Sequence, residues 1–412
     1  MKKTLVALAA LAATGASFAQ VTISGSLISG YQQSTTNSYT SGGPIGILGG
    51  LVKNRGGVTQ NNSSGFGVDT ADINFTAKED IGGGQTVQAE LGLTNVSRGG
   101  VSGADFGAGD LKLTYTNMSF GRIQFGNTYG AAVFSGIPSA GAPVINMDEK
   151  LFETRSYSEY INYAAPVGPI TLVLQMGESG KGAGIGLGAG QSGAPTTVGQ
   201  RNVMLLTYYK DGGLEGFAAY KAYDNRNTEN IFGNPPLTKD AQYTLQGAYD
   251  LGMAKLGFGY AHTTASAGAK VADMLIGLNV PMGALEIGAT WAQEKVSGVS
   301  DSTESALTLP ASPPAIPIGV PLKSILQQAD GTATGWSLGA KYNLSKRTSL
   351  IVNYASWTRS GYEQFEAFGK KLVVAKSATT LADALPAAND AAAQLGYGPV
   401  ETQANILLSH SF

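Results

Sequence analysis

The 412-residue sequence has no cysteine. That removes disulfide frameworks, thiolate zinc sites, iron–sulfur clusters and cysteine nucleophiles. It has only two histidines, His262 and His410, far apart in sequence, a poor basis for a multi-histidine metal site. Charge is scarce as well: 14% of residues are Asp, Glu, Lys or Arg, and the formal net charge is −2, without the basic excess that nucleic-acid binding requires. Beyond residue 19 no uninterrupted apolar run is long enough for a transmembrane helix. What the chain does have is glycine, 57 residues of it, together with 43% hydrophobic residues. Such a balance fits a glycine-rich all-β protein, or one whose solvent is partly hydrocarbon.

The N-terminus reads as a secretory leader over residues 1–19. Lys2 and Lys3 give a positive start, Leu5 to Ala13 an apolar stretch, and Ser17-Phe18-Ala19 a small-x-small cleavage site. The alternative is a short anchor helix, for which the apolar stretch is too brief. A single domain over 20–412 is expected to follow.

Along that domain apolar residues recur at every second position. Val87, Ala89, Leu91 and Leu93 alternate with Gln88, Glu90, Gly92 and Thr94, and the pattern returns at Ile170–Met176, Val203–Tyr209, Tyr243–Tyr249, Leu285–Trp291, Trp336–Tyr342 and Ala404–Phe412. Period two means strands with one apolar and one polar face. A water-soluble β-sandwich has the same alternation. The links decide between them, because very short ones (Asp80–Gln85, Asn117–Gly121, Pro281–Gly283) take turns with long ones (Thr35–Gly65, Tyr129–Tyr157, Lys295–Ala333, Ser360–Val400). Short turns at one end and long loops at the other describe an outer-membrane barrel, and repeated long loops argue against a compact soluble domain.

The spacing predicts sixteen strands, starting near Val21, Phe66, Thr86, Gly109, Arg122, Glu159, Ile170, Arg201, Gly216, Asp240, Lys255, Val271, Ala284, Thr334, Thr348 and Thr402. The expected fold is therefore all-β: a 16-stranded antiparallel transmembrane β-barrel with short periplasmic turns and long external loops, wide enough for an aqueous channel. Closure is required because backbone polar groups in hydrocarbon must be paired within the protein. Tyr, the commonest aromatic at 18 residues, suits interface girdles. His262 and His410 share the apolar parity of their strands and are expected on the lipid side.

Trp336-Ser-Leu-Gly339-Ala-Lys-Tyr342-Asn-Leu344-Ser-Lys346-Arg-Thr-Ser349-Leu-Ile-Val352 resembles the signature of the general diffusion porins of Gram-negative bacteria, with Leu344 where that family usually has Phe. Phe412, ending an alternating strand, is similar to the family's C-terminal assembly signal. Tyr163-Ala-Ala-Pro166 and Val21-Thr-Ile-Ser-Gly25 resemble the neisserial and Burkholderia-type branch. The resemblance implies a homotrimer in outer-membrane lipid that passes ions and small hydrophilic solutes without a cofactor. It also implies a third loop folded into the lumen, here 128–157, carrying Asp148, Glu149 and Glu153 beside Lys150 and Arg155.

Parity supplies the facing wall. Arg122 and Gln124 alternate with Ile123 and Phe125, and Lys112 with Leu111 and Leu113; an outward Arg or Lys at mid-membrane costs about 2–4 kcal/mol, so these point inward. Arg155, Lys341 and Lys78 are further candidates, and Glu90 opposes them on the inward parity of its strand. Ion preference stays open. Catalysis finds little support: both histidines fall on the lipid-facing parity, away from any hydroxyl nucleophile in the lumen, and the glycine-rich run 182–193 lacks a phosphate-loop Gly-Lys-Ser/Thr. The other readings are a substrate-specific outer-membrane channel and a surface adhesin. The long loops 295–333 and 360–400 are Pro-rich and Ala-rich, and 378–394 could form a short helix interrupted at Pro386.

Overall fold

The computed structural model describes residues 20–39, 58–94, 107–129, 133–152, 157–179, 201–224, 239–265, 270–298, 331–358 and 400–412. The expected leader at 1–19 and the helix considered at 378–394 lie outside them, as does most of the loops 295–333 and 360–400.

Sixteen strands follow one another along the chain. They begin with β1 (Gln20–Tyr39), β2 (Val58–Gly82), β3 (Gln85–Thr94), β4 (Gly107–Asn117) and β5 (Gly121–Tyr129). A one-turn helix, α1 (Asp148–Leu151), precedes β6 (Tyr157–Val167), β7 (Ile170–Ser179), β8 (Arg201–Asp211), β9 (Leu214–Asp224) and β10 (Lys239–Asp250). The remainder are β11 (Lys255–Ala265), β12 (Lys270–Met282), β13 (Leu285–Ser297), β14 (Gly331–Asn343), β15 (Thr348–Trp357) and β16 (Glu401–Ser411). Each pairs antiparallel with its sequence neighbours, and β1 pairs with β16 to close the barrel.

Closure runs from Ser26 opposite Ser411 to Thr35 opposite Thr402. At its turn end Gly25 and Phe412 exchange both backbone hydrogen bonds at 3.1 Å. The side chain missing from Gly25 is what makes room: a Cβ there would lie 2.5 Å from Cζ of the Phe412 ring.

Local chemistry makes the tight turns. Between β2 and β3, Gly83 and Gly84 take φ of +62° and +73°, a region that favours glycine. Between β14 and β15 no glycine is used; Ser345 Oγ instead accepts hydrogen bonds from the Arg347 and Thr348 amides at 3.2 and 3.0 Å. The segment that resembles the porin signature is thus this hairpin.

One boundary differs from expectation. The first hairpin continues past Thr35 and Gly65 to pair Tyr39 with Val58. Residues 59–64 are uniformly polar, so alternation gives no strand signal there. Their ladder is supported by a hydroxyl bond between Ser34 and Ser63 at 2.8 Å and by Thr35 Oγ1 donating to Asn62 Oδ1 at 2.7 Å.

The faces divide as the alternation predicts. On β11, Leu256, Phe258 and Tyr260 are exposed on the outer side, while Gly257, Gly259 and Ala261 are buried on the inner one. Rings collect in two outer belts. Near the turns lie Tyr115, Tyr163, Tyr249 and Tyr342, with the Tyr163 hydroxyl donating to the Phe120 carbonyl; nearer the loops, Tyr220 packs on Tyr243 at 4.9 Å and Trp336 on Tyr354 at 5.5 Å. Each histidine takes its expected outer register, His262 beside Tyr243 in the loop-side belt and His410 Nδ1 2.9 Å from Thr348 Oγ1 at the turn end.

Residues 133–152, which leave and rejoin the wall at β5 and β6, lie inside the barrel against β10–β15. Glycines on the inner face let the loop backbone touch the wall: a Cβ on Gly277 would come within 2.6 Å of the Ser139 carbonyl carbon, one on Gly288 within 2.7 Å of the Pro143 ring, and one on Gly339 would fall on the Pro143 carbonyl. Phe134, Ile145, Met147, Leu151 and Phe152 of the loop meet Ala261, Leu275, Ala292, Ala333, Ala355 and Trp357 of the wall in one buried cluster. Each large side chain so covered contributes about 1.5–3 kcal/mol. Polar pins fix the register, with the Ile145 amide donating to Ser337 Oγ at 3.0 Å and Ser135 Oγ donating to Gln246 Oε1 at 2.6 Å.

Two substitutions separate seam from loop. Gly25→Val should cost about 1–3 kcal/mol at the closure by overpacking, read as a lower temperature for loss of the compact band in heat-modifiability gels. Gly339→Val should leave that band in place but free the loop, so that trypsin cuts after Lys150 in the folded barrel.

Candidate functional site

In a closed barrel of sixteen strands, β4 and β5 stand eight strands from β12 and β13 and so face them across the lumen. The loop covers the β10–β15 side. The uncovered side carries a cluster of charged side chains on β3–β5. Glu90 on β3 and Lys112 on β4 are direct register partners, with Lys112 Nζ 3.5 Å from Glu90 Oε2 and 3.0 Å from Asp110 Oδ2. Gln88 Nε2 donates to Glu90 Oε1 at 2.6 Å. On β5, Gln124 Nε2 donates to Thr114 Oγ1 at 2.9 Å, while its Oε1 accepts from the Tyr160 hydroxyl at 3.0 Å and from Asn162 Nδ2 at 3.3 Å. Arg122, two residues earlier on the same face, is exposed and has no carboxylate within 4.0 Å among the described residues.

Half-exposed pairs of this kind add little stability, about 0–1 kcal/mol each. Their consequence is electrostatic. A fixed lattice of one cation, two carboxylates and oriented amides, with a second cation beside it, lines a water-filled space.

Arg122, Lys112, Gln124 and Glu90 are therefore brought together on one inner wall. Lys341 and Lys78 also lie on inner-face register, both near the turn end; Lys341 Nζ is 3.1 Å from Glu286 Oε1, to which Asn343 Nδ2 also donates, and Lys78 stands opposite Gln88. Asp148 differs from expectation. At 3% exposure it sits within the loop, where its Oδ1 accepts from the Phe134 amide at 3.2 Å. It braces the loop against itself, because α1 starts where the loop turns its apolar residues to the wall. Glu149 is the second residue of α1, while Glu153 and Arg155 lie outside the described residues.

A cavity of about 220 Å³ remains beneath the loop, bounded by Phe134, Ser135, Met147, Asp148, Leu275 and Thr290. Of these only Asp148 is titratable. Among the described residues no group of three or more Asp, Glu or His is placed to hold a metal ion.

Some contacts have no signal in the sequence. Lys150, expected in the loop, has its Nζ 5.3 Å above the Trp357 ring, tying α1 to β15. At the turn end Glu215 accepts from the Tyr208 hydroxyl at 2.6 Å and from Lys255 Nζ at 3.2 Å. The loop's track across the wall had a sequence signal that alternation ignores: glycine at the inward positions 257, 259, 277, 288, 335 and 339.

Comparison with known proteins agrees with this architecture. The sequence model of a family described as Gram-negative porin matches residues 4–362. No curated protein matches. Among solved structures, the outer membrane channel DcaP of Acinetobacter baumannii superposes with a TM-score of 0.53 at 10% identity, over 96% of this chain and 97% of that one. Outer-membrane expressed OmpT of Vibrio cholerae gives 0.49 at 12% identity over 95% and 97%, and a porin mutant from Rh. blastica gives 0.47 at 11% over 95% and 100%. At such identities the DcaP likeness speaks for the fold alone. The matched span takes in most of the chain, including every strand from β1 to β15, and the sheet is a closed barrel with an apolar outer face. This chain belongs to the Gram-negative porin family, the integral β-barrels of the outer membrane.

Proposed function

We propose that the chain is a general diffusion porin, with loop 128–157 narrowing the lumen and the β3–β5 wall setting its charge filter. One observation carries the reading: the loop is seated on one wall while Glu90, Asp110, Lys112, Arg122 and Gln124 occupy the wall across from it. Small hydrophilic solutes and ions cross down their gradient through the water between the two. Fixed charges along one side of a narrow aqueous path orient water and solute dipoles, so that apolar solutes are slowed by lost hydration and large ones by the loop.

A passive channel needs no nucleophile, general base or cofactor. The two histidines suit that reading, since both sit on the outer face, away from any solute in the lumen. Residues 1–19 are proposed as a cleaved leader, Phe412 as an assembly signal, and the assembled unit as a homotrimer. The neisserial and Burkholderia-type branch is favoured by 163–166, which places Pro166 at the turn end of β6.

Planar-bilayer recording tests this. Steady conductance should appear, and Arg122→Glu should move the reversal potential in a salt gradient toward cation preference. A two-unit change about 8 Å from the ion path is worth ~1 kcal/mol in water for each ion, with opposite sign for cation and anion, so about 2 kcal/mol or roughly thirtyfold in the cation-to-anion permeability ratio, best read near 0.01 M salt where the Debye length is about 30 Å. An unchanged ratio would remove Arg122 from the filter. Gly339→Val should raise conductance in the same assay; unaltered conductance in a barrel whose loop trypsin can reach would end the loop's role as constriction.

A further inference from the structure

Between the charged wall and the loop-covered wall lies a third sector of the lumen, on β8 and β9. Its facing follows from register. Gln246 of β10 points inward, since it holds Ser135 of the loop, and Phe217 is its direct partner. Leu206 pairs with Ala219 and Met204 with Lys221 on that same face. This stretch of inner wall is thus apolar, and its side chains are half-exposed rather than buried with the loop cluster. On its outer face β8 is apolar too, through Val203 and Leu205. A lumen strand that is apolar on both sides has gained nothing from membrane or loop contact on the inner one.

The strip ends in a cation. Lys221 Nζ stands 4.8 Å from the centre of the Tyr223 ring, and among the described residues it has no carboxylate within 4.0 Å. Ala219 follows it on the inner face, one pleat or about 7 Å along the strand, and Phe217 comes another pleat further. The small side chain of Ala219, between Leu206 and these neighbours, leaves a shallow step with a positive charge at one end and an aromatic ring at the other.

We propose that this step is a binding track for small monocarboxylates with a flat apolar body, taking the carboxylate at Lys221 and the ring over Leu206 and Ala219. The proposal rests on the channel reading above and adds a preferred solute class to it. Charge complementarity selects the anion, and apolar area selects the body: a solute face that leaves water against Leu206 and Ala219 recovers part of its transfer free energy, which a hydrated ion of equal charge does not.

Benzoate and acetate carry the same charge and differ in that face. Bi-ionic reversal potentials of the full-length barrel in planar bilayers, each anion against chloride at about pH 8 where both are ionised, should rank benzoate above acetate, although a plain sieve ranks the smaller ion first. Benzoate should also reduce chloride current in a saturable way. Leu206→Thr, which keeps a strand-forming residue, should lower the benzoate-to-acetate ratio about threefold and leave chloride conductance unchanged. Lys221→Gln should raise the half-blocking benzoate concentration by at least about threefold. If Leu206→Thr does not assemble, Met204→Gln reads the same strip. Acetate ahead of benzoate in the native barrel, or a ratio unmoved by the strip variant, overturns the track while leaving the porin standing. Absence of conductance in any salt would instead overturn the channel reading on which the track depends.

Discussion

The structure depends on pairing every backbone amide and carbonyl within the wall. In hydrocarbon no water replaces a missing partner, so an open edge between β1 and β16 is not available to the chain. The exchange of bonds between Gly25 and Phe412, and the ladder above it, remove that edge. Alternation then becomes compulsory, because one side of each strand meets acyl chains and the other meets water or the loop. Low overall charge is the same constraint seen in composition, since half of the wall cannot carry any.

Inside, the constraint changes from pairing to space. A loop that turns back into the lumen has to satisfy its own backbone and hide its own apolar side chains, and a featureless polar wall offers neither. Here β11–β14 supply glycines where loop backbone approaches, small alanines where Phe134, Phe152 and Met147 pack, and the Ser337 hydroxyl where an amide needs an acceptor. The wall is shaped for the loop, with polar pins from Gln246 and Ser337 preventing it from sliding over an otherwise greasy surface.

Much of the wall was legible in the sequence because period-two alternation is a direct image of a two-faced sheet. Arg122, Lys112, Gln124 and Glu90 were assigned by parity alone and share one inner surface. Alternation fails where a strand has no apolar face, as at 59–64. It is also blind to glycine, which counts as neither apolar nor polar, so the loop's track passed unread. Asp148 was misjudged for a different reason. A carboxylate in a lumen loop reads as a rim charge, and only the packing reveals that it serves the Phe134 amide from inside the loop.

Asp148 points to a general sorting. A charge held beneath the loop loses hydration worth several kcal/mol and is tolerated only with partners in place. Asp273 and Glu294, register partners on β12 and β13 and both 2% exposed, are also buried charges, and each has interaction partners in the structure. Charges that stay half-exposed in the lumen lie on β3–β5, at Lys221, and in the turn-end pairs Lys341–Glu286 and Lys255–Glu215, clear of the seated loop. Seating the loop divides the titratable groups into those that hold it and those that solutes meet. Net charge over the whole chain adds the two sets together, which is why it says so little about the charge that faces the lumen.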